Sequence, residues 1–253
     1  MIGIFDSGVG GLSVFREIRK VLPDQKYIYY SDNAHCPYGE KSQEYIISRA
    51  KSITDFLISQ GAEVIVVACN TATAAAISTL RAGYSIPFIG MEPAVKPAAL
   101  STKTGTIGVL ATAGTLKGLK YLNTRDRFSD GVTVAEHIGK GFVELVENGI
   151  FTGEEAEATV RASLAPLLET GADTIVLGCT HYPFLLESMK KVAAAVSPDR
   201  NGSFIDPAPA VAQHLIDVMD QYGIRHSDST DRQAVALYAS GKRDTLDKLF
   251  GTL

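Results

Sequence analysis

The sequence predicts an α/β fold, built as two similar parallel-sheet domains related by internal duplication, with an active site expected in the cleft between them. Three observations carry this expectation. Short β-branched runs alternate with longer amphipathic stretches, the order that gives parallel strands with right-handed crossovers. Several short runs are apolar without interruption, as in Val64-Ile65-Val66-Val67-Ala68, which suits strands buried on both faces. One segment is also repeated. Gly61-Ala62-Glu63-Val64-Ile65-Val66-Val67-Ala68-Cys69-Asn70-Thr71 matches Gly171-Ala172-Asp173-Thr174-Ile175-Val176-Leu177-Gly178-Cys179-Thr180-His181 at an offset of 110. Ile2-Gly3-Ile4-Phe5 and Ile107-Gly108-Val109-Leu110 repeat at an offset of 105.

In chain order, strands are expected at 2–5, 27–30, 64–68, 88–90, 106–110, 132–135, 174–178, 204–205 and 234–238. Helices are expected over 12–21, 42–60, 72–82, 116–125, 154–169, 184–196 and 208–222, where the apolar residues recur at helical spacing. Two stretches rich in Pro, Gly and polar residues, 91–97 and 199–209, read as breaks. They divide the chain into a first domain of residues 1–92 plus 206–253, the latter a C-terminal return, and a second domain of residues 93–205.

Composition narrows the function. The chain has 253 residues, 45% hydrophobic and 21% charged, an ordinary globular balance that excludes a disordered or fibrous protein. A net charge of −4 with scattered Lys and Arg leaves no footprint for nucleic acid. No apolar run is long enough for a membrane helix, and no signal peptide precedes the first strand, so a cytoplasmic enzyme is expected. The three cysteines, Cys36, Cys69 and Cys179, are sparse and include no CxxC pair. Neither a disulfide framework nor a metal site is expected from them.

The repeat separates these cysteines into a pair and a bystander. Cys69 and Cys179 each end an expected strand and precede a helix, the edge where α/β units bind ligands. A thiol beside a helix N-terminus is biased toward thiolate. If the two copies face each other, a thiol stands on either side of one substrate. One group can then remove a proton from a carbon while the other returns a proton to the opposite face, which is two-base racemisation or epimerisation. Amides at helix starts, with Ser7, Asn70, Thr71 and Thr180, could hold a carboxylate.

Other local signals are weaker. Asp6-Ser7-Gly8-Val9-Gly10-Gly11 matches only part of a dinucleotide fingerprint, since Ser13 replaces its last glycine, and no GK[ST] follows. A tight turn with exposed amides beside Asp6 is the better reading. His137, His214 and His226 have no motif context. Glu144 and Glu147 fall on one face of a short helix, where exposure to solvent is the default. A non-catalytic amino-acid-binding module, a racemase acting on aspartate or a related acid, and a cysteine hydrolase remain as alternatives.

Four motifs, DSGVGG at 6–11, DNAHCPYG at 32–39, ACNTATA at 68–74 and GCTHYP at 178–183, together resemble the glutamate racemases of the aspartate/glutamate racemase superfamily. Each motif alone is weak. In this order, over essentially the whole chain, they are specific. The resemblance implies a cofactor-independent enzyme that interconverts L- and D-glutamate and supplies D-glutamate for bacterial peptidoglycan. It implies that Cys69 acts on D-glutamate assisted by Asp6, and Cys179 on L-glutamate assisted by His181. The substrate contacts it implies are Asp6, Ser7, Pro37, Tyr38, Gly39, Asn70, Thr71, Thr180 and His181, with Thr112 and Thr115 adding to them.

Glu147 matches a family glutamate near the cleft, although His137-Ile138-Gly139-Lys140-Gly141 stands where many members have a Cys-Pro-containing stretch. Asp32 matches a family acid with an orienting role. Aspartate racemases typically show an acidic residue where His181 stands, so His181 tilts the resemblance toward glutamate. A homodimer is implied, with no nucleic-acid or membrane partner. Some members carry an N-terminal extension linked to activation by a cell-wall precursor. Here Met1 directly precedes the first strand, and no such activation is expected.

Overall fold

The computed structural model describes residues 1–198, 202–225 and 235–253. Its strands are β1 (Ile2–Asp6), β2 (Tyr27–Ser31), β3 (Val64–Val67), β4 (Phe88–Gly90), β5 (Thr106–Ala111), β6 (Thr133–Ile138), β7 (Thr174–Gly178), β8 (Ser203–Ile205) and β9 (Val235–Ala239). The helices are α1 (Leu12–Val21), α2 (Gln43–Ser59), α3 (Asn70–Gly83), α4 (Val95–Ser101), α5 (Ala113–Leu116) and α6 (Leu119–Phe128). They continue with α7 (Phe142–Glu147), α8 (Glu154–Glu169), α9 (Leu186–Val196), α10 (Ala208–Gln221) and α11 (Asp244–Phe250).

The chain forms two compact units, Met1–Met91 with Ala208–Leu253, and Glu92–Pro207. The first holds a five-stranded sheet in the order β4-β3-β1-β2-β9, and the second a four-stranded sheet in the order β6-β5-β7-β8. Every strand pair is parallel. Read from its other edge, the second sheet is β8-β7-β5-β6, which matches β4-β3-β1-β2 strand for strand. The α/β fold with internal duplication that the sequence predicts is therefore the fold observed.

The duplication extends to side chains. Central strands β1 and β5 each carry a glycine where a helix packs closely. A Cβ on Gly3 would meet Ala62, Ile65 and Leu57 at 3.0–3.3 Å, and one on Gly108 would meet Ile175 at 2.6 Å and Leu167 at 3.4 Å. Ile65 and Ile175, and Leu57 and Leu167, are related by the same offset of 110. Gly61 and Gly171, which end α2 and α8, both take positive φ, 92° and 91°. This lets the chain turn back into β3 and β7, as glycine at a helix C-terminus does.

Burial explains the apolar runs. All residues of β1, β3 and β7 are buried, and helices cover both faces. In the first unit, Phe5, Ile65, Val67 and Cys69 pack with Ile53 and Leu57 of α2 and with Ala72, Ala76 and Leu80 of α3. On the opposite face Phe15 of α1 meets Tyr27 edge-on at 5.2 Å and stacks on Phe250 of α11 at 5.8 Å. The C-terminal return is thus held into the first unit.

Several elements differ from the sequence expectation. Residues 91–97 read as a break, yet α4 starts at Val95. Pro97 is tolerated because it falls in the first turn, where backbone N–H groups have no intrahelical acceptor. The expected helix at 116–125 is split, because Gly118 stands extended between α5 and α6. Strand β6 runs beyond 132–135 to Ile138 because it pairs along the whole of β5. Helix α11 is too short to show a sustained period. The expected strand at 234–238 appears as β9, with residue 234 outside the described residues, as is His226.

Two stability outcomes follow. Alanine at Gly61 or Gly171 places a Cβ on a left-handed backbone, so each variant should lose about 1–2 kcal/mol in urea unfolding. Asp173, at the start of β7, accepts from Thr102 Oγ1 at 2.6 Å and from the backbone amides of Lys103 and Thr104 at 2.7 and 3.0 Å. Burial pushes its carboxyl up, but these donors outweigh that and hold it below the usual carboxylate value. A carboxylate lowered in the folded state stabilises above its unfolded pKa, about 3.9, and that contribution is lost as pH falls through the folded value. Asp173→Asn should therefore cost stability at pH 7, with the gap to the native chain closing as pH falls below the usual carboxylate range.

Candidate functional site

Each unit places a cysteine beyond the carboxyl end of the same strand in the matched order. In the first unit β3 ends at Val67, and Cys69 is the N-cap of α3. The chain is extended at Cys69 before it enters the helix, which turns the side chain back over the helix start. The backbone N–H of Ala72 donates to Cys69 Sγ at 3.4 Å. The Cys69 thiol in turn donates to Ser7 Oγ at 3.6 Å. A sulfur that accepts a helix N-terminal amide has its negative form favoured by hydrogen bond and helix dipole alike.

Neighbouring β1 delivers Asp6 and Ser7 to the same edge. Asp6 is fully buried, and its Oδ2 accepts from the Gly8 amide at 2.9 Å. Gly11 has a steric reason as well as a turn to make: a Cβ there would lie 2.6 Å from Asp6 Cβ and 2.7 Å from Tyr29 Oη.

Asn70 and Thr71, the first residues of α3, are buried beside the thiol. Among the described residues, neither the side-chain oxygen nor the nitrogen of Asn70 has a hydrogen-bond partner. A buried amide with both ends unsatisfied is costly unless a ligand or water completes it. The loop after β2 adds Tyr38, buried with Cys69 in one cluster, while Pro37, Gly39 and Cys36 are half-buried.

The second unit holds its thiol differently. β7 ends at Gly178, whose hypothetical Cβ would meet Ala111 Cβ at 2.7 Å, so glycine is needed for β7 to lie close on β5. Cys179 follows, and the chain passes through a 3₁₀ turn, Tyr182–Leu185, before α9 begins. His181 Nδ1 lies 3.7 Å from Cys179 Sγ and 3.3 Å from Thr180 Oγ1. His181 Nε2 lies 2.7 Å from Glu147 Oε1. A carboxylate accepts, so Nε2 donates to Glu147 and Nδ1 is the ring nitrogen turned toward the thiol.

Sequence spacing does not reveal this chain of contacts. Adjacent positions rarely bring a cysteine and a histidine together, but the turn after Cys179 does so here. Solvent exposure, the default for the acids of α7, holds for Glu144. It fails for Glu147, which turns inward to His181. Thr112 and Thr115 stand at the end of β5, next to β7; Thr112 Oγ1 accepts from the Thr115 amide at 3.2 Å and caps α5. Tyr182 is fully buried, and burial first, then the nearness of Cys179 and Glu144, pushes its phenol well above its usual value. Gly139 lies against that phenol, where a Cβ would come 2.4 Å from Tyr182 Oη. The stretch 137–141 therefore has a local packing logic of its own.

Of the expected residues, Asp6, Ser7, Tyr38, Cys69, Asn70 and Thr71 gather in the first unit. Thr112, Thr115, Glu147, Cys179, Thr180 and His181 gather in the second. His137 is half-buried on β6 and His214 is exposed on α10, away from the residues named above. Sequence reasoning missed Arg49, which reaches Asp32 from α2.

Comparison with known proteins places these features in a family. Residues 3–215 match the model of the Asp/Glu/hydantoin racemases. A glutamate racemase of Pseudomonas aeruginosa is 48% identical over 245 residues, covering 96% of this chain and 86% of that protein. The crystal structure of Escherichia coli glutamate racemase in complex with L-glutamate and the activator UDP-MurNAc-Ala superposes with a TM-score of 0.84 at 33% identity, over 99% of this chain and 92% of that one. The structure of the Francisella tularensis enzyme in complex with D-glutamate gives 0.82 at 27% identity, with coverage of 99% and 92%. The chain, with a thiol at the same strand end in each half of a duplicated fold, belongs to the Asp/Glu/hydantoin racemase family.

Proposed function

We propose that this protein is a glutamate racemase that inverts Cα by two-base proton transfer between Cys69 and Cys179. The observation that carries the reading is the duplicated strand end. The same position after β3 and β7 presents a buried thiol, and each has its own means of managing a proton. Relatives named as glutamate racemases, and solved neighbours holding L- or D-glutamate, support the choice of substrate.

On this reading one thiolate takes the α-proton from one face and the other thiol delivers a proton to the opposite face. The carbanion between the two steps needs its carboxylate held by donors. Asn70, with its unsatisfied amide, and Thr71, Thr180, Ser7 and the amides at the start of α3 supply donors for the substrate's charged groups. Tyr38, Pro37, Gly39, Thr112 and Thr115 complete the binding set. Asp6 assists Cys69, and the Glu147–His181 pair assists Cys179. After each turnover the two thiols have exchanged protonation states and reset through solvent.

The chemistry needs only these side chains, so the enzyme works without a cofactor. Its product, D-glutamate, serves peptidoglycan synthesis, in the cytoplasm and as a homodimer. Among the described residues no helix is long and apolar enough to cross a membrane.

The test is polarimetry with both glutamate enantiomers. Cys69→Ser and Cys179→Ser should each lower turnover by roughly 10²–10⁴-fold, the scale of general acid–base catalysis, with unfolding midpoints close to native. Glu147→Gln leaves both thiols in place but loosens His181, and should lose less than either cysteine variant. Turnover within tenfold of native in either serine variant sinks the two-thiol assignment. A native chain that racemises aspartate faster than glutamate would move the substrate within the family.

A further inference from the structure

Around Tyr38 the structure shows an ion pair, half-buried Arg49 on fully buried Asp32, that the proposed chemistry does not use. Asp32 directly follows β2, and its backbone amide donates to Asp6 O at 2.9 Å, so it is tied to the strand end that carries Asp6 and Ser7. Its carboxylate is fully buried. Arg49, two turns into α2, grips both oxygens, with Nε 2.9 Å from Oδ2 and Nη2 2.7 Å from Oδ1. The Tyr38 hydroxyl donates to Oδ2, and the Ser240 side chain also bonds this carboxylate. His35 Nε2 lies at its margin, 4.0 Å from Oδ1.

The directions of the pKa shifts agree with this geometry. Burial pushes Asp32 up, but Arg49 and Tyr38 outweigh it and hold the carboxyl below the usual range. Arg49 is raised by the same pair. The Tyr38 phenol is pushed far above its usual value, by burial first and then by Asp32 and the nearby Cys69. Tyr38 is therefore a neutral phenol whose one proton is committed to Asp32, and its ring sits in the cluster that packs Cys69. The ring's position beside the thiol is set by the acceptor it points at, and that acceptor is set by the forked guanidinium.

We propose that Arg49 is a positioning residue for the first half-site, acting through Asp32 on Tyr38 and hence on the surroundings of Cys69. The proposal rests on the reading of Cys69 as one of the two proton-transfer groups. A planar fork is required: lysine keeps the charge but grips one oxygen at a time and leaves the carboxylate free to turn. Arg49 touches no reacting atom, and it contributes by fixing distances.

The experiment is a double-mutant cycle with Arg49→Lys and Tyr38→Phe, each checked for native unfolding. Arg49→Lys should lower kcat by about tenfold to a hundredfold, the scale of an ångström of misplacement, and change KM far less. Tyr38→Phe should show a similar loss. The double variant should be no slower than the worse single one, because both changes cut the same linkage. Multiplied losses, or unchanged kcat in Arg49→Lys, would overturn the proposal. If Arg49→Lys does not fold, Asp32→Asn takes its place in the cycle with the same criteria.

A second readout is the rate of alkylation by iodoacetamide, resolved by peptide mass spectrometry. Arg49→Lys should change the Cys69 rate several-fold and leave the Cys179 rate as in the native chain. A merely structural role would move both rates or neither. This readout does not require turnover. A native chain that fails to racemise glutamate therefore defeats the functional reading, whereas an unaltered Cys69 rate defeats the role of Arg49.

Discussion

A cysteine at the point where a wholly buried parallel strand gives way to a helical turn is the constraint from which the site follows. The strand must be apolar on both faces, so the chain can place chemistry only at its end. The adjoining strand must lie close, which makes Gly178 a glycine in the second unit. In the first unit the returning helix starts at once, so its first amides stand beside the sulfur. In the first unit Ala72 donates to Cys69 for this reason. Duplication then supplies the arrangement twice, because β3 and β7 occupy the same place in the order of their sheets.

The two copies have diverged where proton management differs. Cys69 is held by a helix amide and the hydroxyl of Ser7, with Asp6 on the neighbouring strand end. Cys179 is held by an imidazole whose far nitrogen is fixed by Glu147. On the proposed reading the two thiols serve opposite faces of one carbon, and each has its own set of neighbouring groups. The Arg49–Asp32–Tyr38 linkage belongs to the first set.

Much of the fold was legible because burial leaves direct marks. Continuous apolar runs announced β3 and β7, and the matching segments around Cys69 and Cys179 announced the duplication. Short or capped elements left weaker marks. Pro97 hid α4 because proline in a first turn looks like a break, and Gly118 hid the division between α5 and α6. At the site, the strand-end cysteines could be read from the repeat, Asn70 and Thr71 came with them by adjacency, and Asp6 and Ser7 came from the turn that ends the first strand. Contacts between distant segments could not be read in the same way. His181 and Glu147 are 34 residues apart, and Arg49 meets Asp32 from 17 residues away. Nothing in local composition records that their side chains turn toward each other.

The central claim, that two different groups serve the two faces of Cα, is tested most directly by isotope content during the first turnovers in D₂O. Protiated L-glutamate is supplied, and substrate and product are separated and weighed by mass spectrometry at low conversion. With two bases the product takes its α-hydrogen from a group equilibrated with solvent. The D-glutamate formed should therefore be deuterated while the remaining L-glutamate stays protiated. D-glutamate that keeps the substrate's own proton would mean that a single group both removes and returns it, and would contradict the account.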